Sequence, residues 1–106
     1  CHLPDARIPG GADAAVAAGR EAGVVQMVSV GCDRDSSLAA LDAADRFGNV
    51  FATVGLHPHD ATHGVASIAD LFARPGVIAV GECGLDYHYD HSPRDVQRAA
   101  FAEQVV

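Results

Sequence analysis

The chain of 106 residues has no lysine, no tryptophan and one methionine. Its seven basic residues are therefore all arginine, set against fourteen acids for a net charge of −7. That balance excludes a general electrostatic grip on nucleic acid, which works by neutralising phosphates with basic patches. It leaves open a phosphodiester substrate met through bound divalent metal, because such an ion reverses the sign of the local field. The three cysteines, Cys1, Cys32 and Cys83, form no Cys-x-x-Cys pair. Their odd number and wide spacing fit a reducing compartment better than a disulfide scaffold, so the expected location is cytoplasmic. No apolar run approaches the ~20 residues of a membrane span. Nothing points to a membrane or to a protein partner. Apolar residues make up 49% of the chain, ordinary for a folded domain and too many for a disordered one.

What the chain does have is alternation. Residues 24–30, Val50–Val54 and Val77–Val80 are short apolar runs that read as strands; the last, VIAV, has the pattern of a strand covered on both faces. Helical stretches lie between them. Residues 12–22 form an alanine-rich helix with Ala12, Ala15, Val16 and Ala22 on one face and Gly23 at its end. A second helix follows cap candidates at 33–36, with Leu38, Leu41, Ala44 and Phe47 inward and Gly48 as its stop. A third is expected over 65–73, with Ile68, Leu71 and Phe72 inward, broken by Pro75 and Gly76. Residues 1–3 read as the tail of a further strand and 4–11 as a loop. Ser92 as N-cap, Pro93 as first helical residue and Asp95 three past the cap open a last helix, running through Val105 and Val106. The resulting β-α-β-α-β-α-β-α order predicts a parallel sheet with right-handed crossovers. Pattern alone leaves a barrel and a doubly wound sheet both open.

The polar residues gather where strands end. His2 follows the first, and His57 and His59 flank Pro58 in a His-rich loop after the third. Glu82 sits between Gly81 and Gly84 directly after the fourth. A carboxylate there is costly unless paired or metal-bound; the plainer reading is a cap for the next helix. His57 and His59, two apart in extended backbone, would point to opposite sides, so both reach one metal only through a bend. His63, His88 and His91 read as solvated loop histidines, and Cys32 and Cys83 as packed thiols. No Ser-His or Cys-His catalytic pair stands out.

GECGLDYHYDHSP at 81–93, with Gln97 and Phe101 behind it, VGLHPHD at 54–60 and CHL at 1–3 together resemble the TatD-like DNases, metal-dependent hydrolases of the amidohydrolase type. The resemblance spans essentially the whole chain. It implies an α/β fold, a (β/α)₈ TIM barrel of which residues 1–106 are the N-terminal half, about four βα units cut at both ends, since such barrels typically need about 250 residues. It makes His2 the second His of a His-x-His metal-binding pair. It makes Glu82 a carboxylate bridging two divalent ions, with Mg, Mn or Zn as the candidates. His57 and His59 read as catalytic residues that contact substrate phosphate or donate protons, with His59 favoured; the plainer reading for each is N-capping and loop packing. Asp86 and Tyr87 are expected to organise the loop after Glu82 and orient the ligand there. Gln97 and Phe101 are expected to hold the last helix to the barrel. Relatives carry Asp where Pro4 stands here, and the family's later His, His and Asp ligands lie outside the chain. The implied activity is hydrolysis of DNA phosphodiester bonds by metal-activated water. The same fold also admits an amide, lactone or aminoacyl ester substrate, or an inactive fragment. A lipoprotein would also start at Cys1, but a strand end carrying His2 explains that start better.

Overall fold

The computed structural model describes residues 1–105, so the expectation that the last helix includes Val106 lies outside the described residues. Three parallel strands, β1 (Met27–Val30), β2 (Val50–Val54) and β3 (Val77–Val80), lie side by side in chain order. Cys1 extends this sheet beyond β1. Its terminal nitrogen donates to the Val28 carbonyl at 2.9 Å, and its own carbonyl accepts from the Val30 N–H at 2.8 Å, one rung of the parallel pattern. The expected first strand is thus present as a single bonded residue. Four successive segments adjacent without reversal form a barrel wall, whereas doubly wound sheets reverse at a switch point. The architecture is the α/β one expected: parallel strands linked by helical crossovers.

Three α-helices follow their local chemistry. α1 (Gly11–Glu21) ends with Gly23 at φ 87°, a left-handed position that suits glycine. The Val24 N–H still bonds back to the Gly19 carbonyl at 2.8 Å. The helix end therefore takes up residues expected in the strand; Val25 is 81% exposed and β1 begins only at Met27. α2 (Arg34–Arg46) opens with a capping box. The Asp33 carboxylate accepts from the Ser36 N–H at 2.8 Å, and the Ser36 hydroxyl accepts from the Asp33 N–H at 3.0 Å. Its buried face is Ser37, Ala40, Leu41 and Ala43, whereas Leu38, expected inward, is exposed. Small residues are needed there because Gly31 sits against Ser37: a Cβ on Gly31 would lie 2.7 Å from Ser37 Cα. α3 (Arg94–Val105) starts after Pro93. Its first residue is thus Arg94, one later than expected, and the buried Ser92 hydroxyl donates to the His59 carbonyl at 2.8 Å.

The helix expected over 65–73 is replaced by 3-10 turns at Pro58–His63, Val65–Ser67 and Ala69–Leu71. Gly64 at φ 73° interrupts the run, and the Ser67 hydroxyl bonds to the Gly64 carbonyl at 2.7 Å, a local partner that competes with α-helical pairing. Ile68 and Leu71 are nevertheless fully buried, as expected. They pack with Leu41, Val54 and Leu56 into the main core, and a smaller cluster joins Leu3, Val16, Ala43 and Val50 under α1. β3 departs from expectation. It is an edge strand, α3 packs on the 3-10 turns rather than across it, and Ile78 is 55% exposed.

Each strand is followed at once by a glycine: Gly31, Gly55 and Gly81. These let the strand ends close on one another. The Gly31 N–H donates to the Thr53 carbonyl at 3.2 Å, the Gly81 N–H to the Val54 carbonyl at 2.8 Å, and the Glu82 N–H to the Gly31 carbonyl at 2.6 Å. A Cβ on Gly55 would fall 2.2 Å from the Gly81 carbonyl carbon and 2.6 Å from the Glu82 nitrogen. These are backbone atoms and have little room to move. Gly55→Ala is therefore expected to lower stability by about 1–3 kcal/mol, the cost of overpacking, read as a lower urea midpoint at unchanged slope. An unchanged midpoint would mean that the strand ends separate freely.

Candidate metal centre

The strand ends deliver side chains from distant parts of the sequence to one place. His2 follows the Cys1 rung, Cys32 follows Gly31 after β1, and Glu82 follows Gly81 after β3. One ligand-type atom from each, an imidazole nitrogen, the Cys32 sulfur and a carboxylate oxygen, all lie within 4.8 Å of one another. His2 Nε2 is 3.9 Å from Glu82 Oε2, and Cys32 Sγ is 3.5 Å from the same oxygen. The other oxygen, Oε1, lies 3.7 Å from His57 Nε2. Among the described residues no arginine pairs with Glu82, whose nearest basic side chains are the two imidazoles. Nitrogen, oxygen and sulfur donors around a half-exposed carboxylate suit a divalent cation, so the residues present fit the metal that the resemblance implies. Burial, and then the Glu82 charge, push the Cys32 thiol up to about 12, and in this arrangement its S–H points at Glu82.

His57 and His59 part from one another, though not through extended backbone. The chain turns at Pro58 into the first 3-10 segment, and the two rings meet edge to face at 4.4 Å. The backbone N–H of His59 donates to His57 Nδ1 at 3.2 Å. With that lone pair engaged, the neutral His57 ring carries its proton on Nε2, facing Glu82. His57 thus offers an N–H to the centre. His59 turns the other way, and its Nε2 hydrogen-bonds to Asp86 Oδ2. The rings of Tyr89 and His91 stand edge-on to it at 5.8 and 4.5 Å.

Asp86 organises the loop after Glu82. Besides His59 it accepts from the backbone N–H groups of His88 at 2.9 Å and Tyr89 at 3.1 Å. The His59 hydrogen bond, then these amides, hold its carboxyl at about 2, well below the usual range. Tyr87 faces α3 instead. Its ring lies 4.6 Å from the Arg94 guanidinium and its hydroxyl 3.4 Å from Arg98 Nη1, so it docks the loop on the helix, where support for the ligand was expected. His63 pairs with Asp60 at 3.9 Å on the surface, and His88 packs edge-on against Tyr89.

Two buried glutamines on α3 support both loops. Gln97 accepts from the Asp86 N–H at 2.8 Å and donates to the carbonyls of Asp86 and Ser92 at 3.1 and 2.8 Å. Gln104 accepts from the Leu56 N–H at 2.8 Å and donates to the Leu56 carbonyl at 3.2 Å. The sequence reading singled out Gln97 and missed Gln104, although the two are seven apart and share one helix face. It also assigned Cys32 to packing. The available signal was position, for Cys32 follows a strand-ending glycine just as Glu82 does. Beside His2 opens a groove of about 500 Å³, lined among others by Pro4, Asp5, Arg7, Val30 and Ser36.

Comparison with known proteins gives a consistent result. A model of the TatD related DNase family matches residues 1–106. The chain is 38% identical over 87 residues to the uncharacterized metal-dependent hydrolase YabD of Bacillus subtilis, covering 78% of this chain and 34% of that protein. It is 39% identical over 92 residues to the 3'-5' ssDNA/RNA exonuclease TatD of a Rahnella species, covering 82% and 35%. With the Escherichia coli K12 protein of the same description it shares 35% over 97 residues, covering 88% and 37%. The chain thus spans little more than a third of the length of these curated relatives. The crystal structure of YJJV, a TatD homolog from Escherichia coli K12, superposes with a TM-score of 0.77 at 23% identity, over 99% of this chain and 43% of that one, a likeness of fold.

The Asp86 interactions carry a pH signature. Its folded pKa is depressed, so the loop gains stability from the anion in full above about pH 4 and loses it as pH falls toward about 2. Hydrogen exchange of the His88 and Tyr89 amides should show protection falling in that window, measured relative to α2. Asp86→Asn should remove the pH dependence. Protection that persists unchanged down to pH 2 would contradict the assignment.

Proposed function

We propose, for a chain that belongs to the TatD related DNase family, that it is the N-terminal part of a divalent-metal-dependent hydrolase cutting phosphodiester bonds of DNA. The observation that carries this reading is the convergence of His2, Cys32 and Glu82 from three strand ends on one point. The described relatives from Rahnella and Escherichia coli are named 3'-5' ssDNA/RNA exonucleases, which supports a single-stranded substrate taken from its 3′ end. The charge distribution agrees. Four of the seven arginines are engaged with aspartates: Arg7 with Asp5, Arg34 with Asp70, Arg46 with Asp13, and Arg94 with Asp90. No arginine pairs with Glu82 among the described residues, which supports metal as the source of positive charge at the centre.

In this reading His2 and Glu82 hold the ions, two per site when the ligands beyond this chain are included. Bound divalent metal would supply an activated water and neutralise the attacked phosphate. The chain's own residues then orient and donate. His57 presents its Nε2 proton to the centre beside Glu82. His59, hydrogen-bonded to Asp86, keeps its ring aligned, which suits contact with a phosphate or delivery of a proton to the leaving oxygen. The groove beside His2 gives the strand an approach. The three cysteines are free thiols, which supports a reducing, cytoplasmic setting.

The test is cleavage of 3′- and 5′-labelled single-stranded DNA by the purified protein with Mg²⁺, Mn²⁺ or Zn²⁺, together with metal analysis. Glu82→Gln should lower cleavage by several orders of magnitude, on the scale of several kcal/mol of lost transition-state stabilisation, and reduce metal content. His59→Ala should cost about 10²–10⁴-fold. Full activity and metal content in Glu82→Gln would sink the assignment. Hydrolysis of amides, lactones or aminoacyl esters without DNA cleavage would move the activity to that substrate class.

A further inference from the structure

The reading above places the metal on His2 and Glu82 and gives the neighbouring Cys32 thiol no ligand role. We propose that Cys32 is itself a metal ligand, completing with His2 and Glu82 a nitrogen–sulfur–oxygen set that selects zinc-like, thiophilic divalent cations over magnesium. The inference rests on the metal-dependent reading and adds the class of ion.

Geometry is the first support. In a tetrahedral zinc centre, with Zn–N and Zn–O near 2.0–2.2 Å and Zn–S near 2.3 Å, nitrogen and oxygen ligands stand about 3.3 Å apart and sulfur and oxygen about 3.5 Å. Here sulfur and oxygen are 3.5 Å apart and nitrogen and oxygen 3.9 Å. Small adjustments of two half-exposed side chains, His2 and Glu82, close the difference. Cys32 itself is anchored. Its N–H donates to the Ser36 hydroxyl at 2.8 Å and its carbonyl accepts from the His57 N–H at 2.7 Å, so the capping box of α2 and the loop after β2 set the sulfur from both sides.

Selectivity among the thiols is the second support. Cys1 and Cys83 adjoin His2 and Glu82 in sequence, yet neither belongs to the three-donor cluster. The Cys1 sulfur donates to the Val28 carbonyl at 3.1 Å. The thiol that does join comes from fifty residues away. Charge is the third. As the sulfur–metal bond forms, the S–H bond breaks and its proton passes to water. The thiolate and the Glu82 carboxylate then balance a dication, with neutral His2 as third donor. Magnesium prefers an octahedron of hard oxygen ligands, so a sulfur at this position favours its competitors.

The experiment is titration of the metal-stripped purified protein with Co²⁺, Zn²⁺ and Mg²⁺. Cobalt should produce a near-ultraviolet thiolate-to-metal charge-transfer band. Cys32→Ser should abolish that band and lower zinc affinity by roughly 10²-fold or more, the upper end of what loss of a supporting partner costs, while magnesium affinity hardly changes. Cys32→Asp should lose the band and shift preference toward magnesium, and Cys83→Ser should retain the band. Circular dichroism melts of each variant separate loss of fold from loss of ligand. Cobalt bound without the band, a band surviving Cys32→Ser, or equal losses of zinc and magnesium affinity would each overturn the proposal and leave the hydrolase reading standing. Failure to bind any divalent ion would overturn both.

Discussion

Backbone pressed against backbone at the strand ends is the constraint on which the rest depends. Gly55 lies so close to the Gly81–Glu82 peptide that no side chain fits between them, and the Glu82 N–H reaches across to Gly31. Because main-chain atoms set these separations, the backbone itself brings Cys32 and Glu82 within range of each other and of His2. Glu82 then tolerates partial burial of its charge because its neighbours are ligand-type groups. The helices and 3-10 turns serve this arrangement by burying Leu41, Val54, Leu56 and Ile68 beneath it.

Electrostatically the chain keeps its positive charge busy elsewhere. Bidentate contacts hold Arg34 on Asp70 and Arg46 on Asp13; exposed pairs of this kind contribute little to stability. Their effect is to leave the surface acidic and the centre without an arginine. Under the proposed function, attraction for an anionic substrate would rest on the cation that the donor set holds, and affinity would follow metal loading more than ionic strength.

Much of this was legible in the sequence, and the reasons for success and failure are physical. Val50–Val54 was read to the residue because a valine-rich run bounded by Asn49 and Gly55 has few alternatives. Val24 to Gln26 was misread as strand because apolar character cannot reveal that a helix end still holds the Val24 amide. The 3-10 turns replaced a helix because Gly64 and the Ser67 hydroxyl act locally, below the range of a periodic pattern. Exposure on β3 could not be read from VIAV, since burial depends on neighbours and not on the strand itself. In the site, Glu82 stood out as a charge after an apolar run. Cys32 did not, because a thiol after a strand looks like packing until the sheet shows what lies opposite it.

Gln97 and Gln104 give α3 a further significance. One helix face carries the hydrogen bonds of the loop that holds Asp86 and of the backbone just before His57. The strand ends anchor the start of each loop, through the His57 and Glu82 amides, and α3 adds side-chain hydrogen bonds at Leu56 and Asp86. The last helix and the two loops therefore form one connected unit. Fraying of the helix would loosen both together, and any ligand that stiffened one loop would be felt in the other through α3 as well as through the direct His59–Asp86 and Ser92–His59 hydrogen bonds.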